Sequence, residues 1–457
     1  MLYQKQISES KRAELIVCGG GFSGFAAAYA AARQGVNTLL IEKGACLGGT
    51  GTQGLVNHLL GERLYTGKNT YKTCVKGIFS ELERRLLSSG GALDVNGIDL
   101  ELPPHGWLGG LGVGLIFDNE KMKLLLEEML AEVGVQILYY TDIIDAVREG
   151  SRIVGVIVHN KSGLSLIRGE RFIDATGDGD VSVMAGCAYE QGDEEGGMAP
   201  ASLEMHVENV DWEELTAYMR DTRDYRCRRI IPLLREKGIW NFPYDIFISV
   251  MLTKKDVFMI NTIRQTGIDG TDADSLTAGT IQGRQENFEL LDIMRAHFPG
   301  FRNAAVRQIA PVLGIRETRR IRCEYMLTVQ DLIEGTTFAD SIAVSGYGWD
   351  LPHPKKPSFQ PLHGIKRKSD FAELPYRCLI PKGLDNLLVA GRCIGTQRDV
   401  SGVMRVMGVC ISIGEAAGIA SALSLEKGCS FADVDPDILR SNIRRHGGIT
   451  DIEQIAG

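Results

Sequence analysis

The stretch LIVCGGGFSGFAAAYAAARQGVNTLLIEK, residues 15–43, decides how the first part of the chain folds. With the preceding glutamate it opens as ELIVC, which is typical of a strand buried on both faces. The alanine-rich FAAAYAAARQG that follows predicts a helix ending near Gly35, and VNTLLIEK predicts a second strand. Three consecutive glycines interrupt the apolar run, which argues against a membrane-spanning helix. The polar lead before it is too long and too mixed for a secretion signal.

Gly19, Gly21 and Gly24 form the pattern G-x-G-x-x-G between the first predicted strand and its helix. The first glycine permits a tight turn, the second lets backbone approach a pyrophosphate, and the third lets helix and strand pack closely. The helix start offers unpaired N–H groups and a partial positive charge to the phosphates. Glu42, closing the second strand, suits a ribose hydroxyl pair. Together these features predict dinucleotide binding.

The composition is that of a soluble globular protein, with 457 residues, of which 44% are hydrophobic and 24% charged. This length allows two or three domains and a sizeable buried core. The net charge of −8 argues against a nucleic-acid partner, whose phosphates would require a basic face. The ten cysteines form no C-x-x-C pair, so we predict no metal site and no local redox disulfide. With the missing secretion signal, they indicate a reducing cytoplasm.

Three later glycine-rich segments separate the two possible dinucleotides, NAD and FAD. They are GACLGGTGTQGLVNHLLG (44–61), GERFIDATGDGDVSVMAG (169–186) and the strand, loop and small-residue helix that begin at LDNLLVAGRCIG (384–395). At these residues the chain resembles the FAD-dependent oxidoreductases of the glutathione-reductase-like superfamily. Within it, the chain resembles a bacterial FAD-dependent oxidoreductase family of mostly unassigned substrate, related in architecture to fumarate reductase flavoproteins.

The resemblance implies an α/β fold, with a Rossmann-like FAD-binding domain and an inserted α+β substrate domain. We expect residues 1–190 to form the first part of the FAD-binding domain, 191–375 the substrate or cap domain, and 376–457 the C-terminal part of the FAD-binding domain. The resemblance also implies that FAD is bound non-covalently. The residues expected to bind it are Gly19, Gly21, Phe22, Ser23, Gly24, Glu42, Lys43, Gly48, Gly49, Thr50, Thr176, Gly177, Asp178, Gly391, Arg392, Gly402, Val403 and Met404.

A second helix start is expected beside the flavin ring, around Gly402 to Met407. A reduced flavin carries negative charge near N1 and O2, which the N-terminus of a helix would stabilise. We expect Arg405 to lie in the first turn of this helix. There it either contacts the flavin or the substrate, or it forms a structural ion pair inside the fold.

Four side chains are candidates for catalysis: His58, Arg316, Arg398 and Arg405. His58 follows a glycine loop and titrates near neutral pH, which suits it to proton transfer; a hydrogen-bonded structural role is the alternative. Arg398 stands where members of the resembled family often carry the histidine of a Thr-His-Glu run. This departure puts a family base at that place in doubt, and Arg398 instead indicates anion recognition.

The segment GIRETRRIRC (314–323) crowds charged side chains together. If it is a strand, Arg316, Arg320 and Arg322 share one face. Arg316 then binds an acidic or hydroxylated substrate, or the segment forms an ion-pair network centred on Glu317 that fastens the domains.

A glycine- and proline-rich loop, SGYGWDLPHP (345–354), carries Tyr347, Trp349 and His353. It predicts either a substrate lid or a surface turn. No second G-x-G-x-x-G follows a strand, since GGLGVG (109–114) has the wrong spacing, so we expect no separate NAD(P)H domain.

We therefore predict a cytoplasmic FAD-dependent oxidoreductase that exchanges a hydride between flavin N5 and a small polar organic substrate. The alternatives are an FAD-dependent monooxygenase, which AGRCIG (390–395) disfavours because such enzymes usually carry a Gly-Asp pair there, and an electron-relay flavoprotein subunit. The expected partner is a small-molecule substrate, with no nucleic acid and no membrane, and the chain can form a homo-oligomer. The sequence does not specify the substrate.

Overall fold

The computed structural model describes residues 6–94, Asn96 and residues 113–455, which form a mixed α/β fold. The strands, in chain order, are β1 (Glu9–Cys18), β2 (Thr38–Ile41), β3 (His58–Leu59), β4 (Arg63–Gly67), β5 (Thr70–Thr73), β6 (Leu115–Ile116), β7 (Gln136–Leu138), β8 (Asp142–Glu149), β9 (Arg152–Asn160), β10 (Gly163–Asp174), β11 (Tyr189–Gln191), β12 (Met205–Glu208), β13 (Ser249–Met251), β14 (Phe258–Ile260), β15 (Ala305–Ile309), β16 (Arg319–Ile321), β17 (Ser341–Ser345), β18 (Ala372–Pro375) and β19 (Leu387–Val389).

The helices follow the same order along the described chain. They are α1 (Phe22–Arg33), α2 (Ile78–Ser88), α3 (Asn119–Glu132), α4 (Asp180–Met184), α5 (Trp212–Thr222), α6 (Ile231–Glu236), α7 (Ala273–His297), α8 (Val329–Glu334), α9 (Arg398–Met404), α10 (Met407–Lys427) and α11 (Pro436–Arg445). The predicted strand, helix and second strand at the start of the chain are therefore present as β1, α1 and β2.

The central sheet has the strand order β7-β2-β1-β10-β9-β8, and β19 also pairs with β10. Strands β7, β2, β1, β10 and β19 run parallel, whereas β9 and β8 form an antiparallel extension. The twelve-residue strand β10 serves both parts, because its first half pairs with β9 and its last three residues pair with β19. The carboxyl ends of β1 and β10 thus lie side by side, and the glycine loops that follow them meet there.

Helices α1 and α10 pack very closely against each other. A Cβ on Gly414 would lie 2.0 Å from the carbonyl oxygen of Ser23, and one on Gly418 would lie 2.3 Å from that of Ala27. By length and composition α10 could cross a membrane. However, 83% of its most apolar 18-residue stretch is buried within this fold. Its small residues are therefore explained by contact with α1.

A second, antiparallel sheet has the order β13-β14-β12-β15 and lies within residues 191–375. It packs with α5, α6 and the long helix α7 around its own aromatic core, which includes Trp240, Phe247 and Phe301. Strands β13 and β14 form one side of this sheet. The segment 109–114 lies mostly outside the described residues.

Candidate active site

The turn after β1 uses its glycines in two different ways. Gly19 has a φ of +103°, and a Cβ there would lie 2.5 Å from the carbonyl oxygen of Ala175; a Cβ on Gly24 would lie 1.9 Å from that of Gly19. Both positions therefore require glycine to let α1 pack against β1 and β10. A Cβ on Gly21, in contrast, would meet nothing within 4 Å. The space in front of Gly21 is open.

The start of α1 faces this space without a side-chain cap. Gly21 is the N-cap residue, in extended conformation, and no side chain accepts hydrogen bonds from the first turn. The first N–H groups of a helix need partners and carry partial positive charge, so they bind phosphate well. The open space and the uncapped helix start therefore fit the diphosphate of a dinucleotide.

The second glycine loop lies directly against the first. The Gly48 N–H donates to the Gly20 carbonyl at 2.8 Å, and a Cβ on Gly49 would lie 3.2 Å from the Cα of Gly21. Gly48 has a φ of +96° and Gly49 a φ of +51°, values that glycine adopts without strain. Thr50 continues this loop, so Gly48, Gly49 and Thr50 line the same place as the first turn.

Glu42 braces the two loops. Its Oε2 accepts from the Gly20 N–H and its Oε1 from the Gly44 N–H, both at 2.7 Å. Gln53 also donates to Oε1, at 3.4 Å, whereas Oε2 accepts one hydrogen bond from the described residues and keeps a lone pair, so a ribose contact stays a prediction. The bracing function is one that the sequence did not reveal.

The loops after β10 and β19 are joined by an ion pair. Arg392 donates to Asp178 Oδ1 at 2.5 Å, and Thr318 Oγ1 donates to the same oxygen at 2.7 Å. Arg392 and Lys43 help to hold the pKa of Asp178 below its ordinary value, against the opposing effect of burial. A Cβ on Gly177 would lie 2.8 Å from Arg392 Nη1, so this glycine leaves room for the guanidinium.

Two further predicted cofactor residues lie at the same edge of the sheet. A Cβ on Gly391 would lie 3.5 Å from the Cβ of Ser23, in the first turn of α1. Thr176 donates to Asp174 Oδ1 at 2.7 Å and accepts from the Asp180 N–H at 3.0 Å, which fixes the turn after β10. The structure thus brings together loops from four separate stretches of sequence.

The expected helix start at Gly402 to Met407 is wrong in detail. Gly402, Val403 and Met404 end the short helix α9, Arg405 is the C-cap residue of α9, and Val406 is extended. The long helix α10 begins only at Met407, so Arg405 lies before its first turn. The sequence alone does not show where the two-residue break, at Arg405 and Val406, separates the helices.

The first turn of α10 nevertheless faces the second glycine loop. A Cβ on Gly51 would lie 3.1 Å from the Sδ of Met407 and 2.4 Å from the ring of Phe22. Because Gly51 adjoins the loop that touches Gly21, a cofactor lying along these loops from α1 reaches the start of α10. This is where the flavin ring is expected.

Arg405 contacts the loop after β17. Its Nη2 donates to the Asp350 carbonyl oxygen at 2.9 Å and lies 3.4 Å from Asp350 Oδ2. Tyr347 and Gln360 also donate to the Asp350 carboxylate, at 3.2 and 2.7 Å. Of the two expectations for Arg405, the structure shows the ion pair. Tyr347 and Trp349 are buried, so their loop is not a surface turn.

Arg316 lies outside strand β16, which covers only three residues. The expectation that Arg316, Arg320 and Arg322 share a strand face is therefore wrong. The Arg316 guanidinium instead donates to the Pro200 carbonyl at 2.6 Å and contacts Asn261 Oδ1 at 3.5 Å. Burial, with help from neighbouring arginines, lowers the pKa of Arg316 to about 9.

Glu317 is the centre of a buried network, as one of the two sequence interpretations proposed. It accepts from Arg398 at 2.8 Å, from Arg320 at 2.9 Å and from the Ala199 N–H at 2.8 Å. Arg398 lies in α9, whereas Glu317 lies two residues before β16. The predicted catalytic residue Arg398 is thus held in a structural ion pair.

His58 lies on β3, paired with Ile116 of β6, and its side chain is buried. A Cβ on Gly114 would lie 2.6 Å from the His58 Nε2, so backbone closes over the ring. Its neighbour Asn57 donates to the Gly51 carbonyl at 3.2 Å. The enclosure of His58 favours the structural alternative, and its catalytic function stays a prediction.

Comparison with known families agrees with this geometry. The sequence matches the family described as FAD dependent oxidoreductase over residues 14–443. The chain belongs to that family. As an FAD-dependent oxidoreductase it is an enzyme, and the cofactor that the glycine loops and the uncapped start of α1 fit is FAD. A search of curated protein sequences finds no match to the chain.

Solved structures resemble this FAD-dependent oxidoreductase distantly. One is a geranylgeranyl bacteriochlorophyll reductase-like protein from Thermoplasma acidophilum (13% identity, 95% of this chain and 83% of that chain, TM-score 0.44). Others are p-nitrophenol 4-monooxygenase PnpA from Pseudomonas putida (10%, 98% and 92%, 0.45) and the flavin-dependent monooxygenase PieE in complex with FAD and substrate (12%, 95% and 61%, 0.48). Similarities of this size establish no shared reaction.

The sequence prediction missed two buried charged residues of this oxidoreductase. Arg264, just after β14, donates to the Pro357 carbonyl at 3.2 Å. Glu204, just before β12, is buried, and burial raises its pKa to about 8. Arg264 and Glu204 lie beside strands β14 and β12, which pair only in the folded chain. The one signal in the sequence was a charged residue within an apolar run.

Proposed function

We propose that this protein exchanges a hydride between FAD and a small polar substrate, which binds between the parallel sheet and the domain that residues 191–375 form. We also propose that its architecture is glutathione-reductase-like. One observation carries this proposal: guanidinium groups from three separate segments, those of Arg264, Arg316 and Arg405, hold neighbouring parts of the chain. Arg405 donates to Asp350 and Arg264 to Pro357, both in the loop after β17. Arg316 donates to Pro200, whose neighbour Ala201 pairs with Gln265 beside Arg264.

FAD supplies a two-electron acceptor or donor when it is bound. The chain's own residues supply the charge and the orientation. The first N–H groups of α10 and the guanidinium of Arg405 place positive charge at one point, where they favour a substrate that carries or gains negative charge.

Glu204 is the residue that we assign to hold the proton. Its Oε2 is buried and accepts no hydrogen bond from the described residues. Because its pKa is raised to about 8, the carboxyl can give or take a proton near neutral pH. The nearby Arg264 and Arg316 oppose this shift without cancelling it.

Anaerobic mixing of the FAD-loaded protein with a panel of hydroxy acids, amino acids, sugars and enoates tests the proposal. We expect one class to bleach the flavin absorbance, or, for an enoate, to reoxidise the chemically reduced protein. Glu204→Gln should slow that step and flatten its pH dependence while FAD content stays the same. If no compound changes the flavin spectrum in either direction, the proposal is wrong.

An FAD-dependent monooxygenase would give a different result. It would consume O₂ with an added electron donor and place one atom of ¹⁸O₂ in the product. An electron-relay subunit would bind no small substrate and exchange electrons only with a partner protein. Product analysis under ¹⁸O₂, beside the anaerobic assay, separates these alternatives from hydride exchange.

A further inference from the structure

We propose that Arg264, Arg316 and Arg405 form a partly buried site for a carboxylate group of the substrate. This inference rests on the proposed function and names the class of substrate, a small organic acid. The three arginines follow β14, precede β16 and end α9, so the site exists only in the folded chain.

The three guanidinium groups are held in place, and those of Arg264 and Arg405 are not saturated with partners. Arg405 is anchored on Asp350, Arg316 on the Pro200 carbonyl and Arg264 on the Pro357 carbonyl. The Nε groups of Arg264 and Arg405 are buried and have no hydrogen-bond acceptor among the described residues. Arg264 is only 8% exposed, so water does not readily supply the missing acceptor.

The local charge is unbalanced. Asp350 and Glu204 are the acids that act on Arg264 and Arg316, and Asp350 also pairs with Arg405. Burial raises the pKa of Glu204 to about 8, so Glu204 contributes little negative charge at pH 7. Arg226 adds a fourth guanidinium that interacts with Arg264 and Asp350, so the positive groups outnumber the one firm negative charge. Buried charge without a partner is strongly unfavourable, so we infer that an anion completes the site.

The chemistry of the donors favours a carboxylate. Planar guanidinium groups bind carboxylates through paired hydrogen bonds, and they keep their charge when buried. The other anion of the complex, the FAD diphosphate, has its own place at Gly21 and the start of α1. The arginine site therefore calls for a second anion, and the substrate is the one that the reaction brings.

The wild-type protein loaded with FAD gives the first test. It is titrated with malonate, succinate, inorganic phosphate and malonamide, and binding is followed by calorimetry and by the flavin spectrum. We expect a carboxylate to bind at least about tenfold more tightly than malonamide, because a hydrogen bond to a charged group contributes roughly 1.5–3 kcal/mol. Equal affinities for malonate and malonamide, or binding of phosphate alone, would overturn the assignment.

A variant pair gives the second test. Arg264→Gln should weaken binding of the carboxylate about tenfold or more, while Arg264→Lys should retain part of the affinity. Arg307→Gln is the control, because Arg307 lies on β15, is 45% exposed and pairs with Glu208 at the surface. FAD content and the unfolding midpoint establish that each variant folds. Equal carboxylate affinities for Arg264→Gln and the control would overturn the assignment.

The two proposals fail in different ways. If an uncharged compound bleaches the flavin and carboxylates do not compete with it, the anion site is wrong and hydride exchange stands. If carboxylates bind through Arg264 but no compound ever reduces or reoxidises the flavin, the proposed reaction is wrong and the anion site no longer defines its substrate.

Discussion

Single residues determine whether the first turn folds and whether it leaves room for FAD. Gly19 and Gly24 are in contact with neighbouring backbone, so a side chain at either one would disturb the packing of α1. A side chain on Gly21 would meet no protein atom within 4 Å, so its absence leaves room for a bound molecule instead. The sequence pattern treats the three glycines alike, and only the structure separates fold from binding.

Gly21→Ala therefore tests the cofactor site without disturbing the fold. The backbone of Gly21, at φ −63° and ψ 177°, accepts an alanine. We expect the apoprotein to keep its unfolding midpoint and its FAD affinity to fall by about tenfold or more, because the methyl group occupies the space of the diphosphate. Gly24→Ala is the contrast and should destabilise the apoprotein by about 1–3 kcal/mol. Unchanged FAD affinity in Gly21→Ala would place the diphosphate elsewhere.

Glu317 is the residue on which two buried arginines depend. Glu317→Gln removes the nearest carboxylate of Arg320 and Arg398 and leaves them only the longer contacts with Glu190 and Asp399, so we expect the free energy of unfolding to fall by about 3 kcal/mol. Glu190→Gln provides the control, because Glu190 is 36% exposed in its pairs with Arg320 and Arg322 and should lose less than about 1 kcal/mol. Urea unfolding measures both. A similar small loss in the two variants would show that the network contributes little to stability.

Among the elements, helix α10 combines small residues with a buried acid. Glu415 is enclosed beneath the start of α2, and the Ile78 N–H donates to its Oε2 at 3.3 Å. Burial raises the pKa of Glu415 to about 8. Since the folded state then binds a proton that the unfolded state releases above about pH 4.5, stability from this group is complete at low pH and is lost as pH rises toward 8.

Replacing Glu415 with glutamine should remove this pH dependence. Between pH 6 and 8 the free energy of unfolding of the wild-type protein should fall more steeply than that of Glu415→Gln. The comparison is made above pH 6 because burial lowers the pKa of His206 to about 4, so His206 destabilises the fold only as pH falls below about 6.5. Urea unfolding at several pH values measures the two slopes. Parallel slopes would show that Glu415 is ionised in the fold.

Elements were predicted from sequence where their signals are local. Each of these signals lies within one short stretch of sequence. Strand β1 is recognised by its own apolar residues, helix α1 by its own alanines, and Glu42 directly follows β2. The break between α9 and α10 was missed because the same residue types, glycine, valine and methionine, stand on both sides of Arg405. The condition that the whole segment around Arg316 is a strand is not met, since only Arg319–Ile321 form β16 and the charges pair with distant parts of the fold.

For the whole molecule, the cofactor site was largely predictable and the substrate site was not. The spacing of the glycines predicts a dinucleotide-binding loop from the sequence alone. Arg264 and Glu204 stand next to strands of the second sheet, and their neighbours Arg316, Arg405 and Asp350 come from distant segments. No short stretch of sequence contains these residues together. The excess of positive over negative side chains is therefore recognised only in the folded structure.

The central claim is that one FAD molecule binds with its diphosphate at the start of α1. Titrating the apoprotein with FAD while following the flavin fluorescence tests it most directly. The account predicts quenching that saturates at one FAD per chain in the wild-type protein and is shifted to about tenfold higher concentration or more in Gly21→Ala. A folded apoprotein that takes up no FAD, even in large excess, would contradict it.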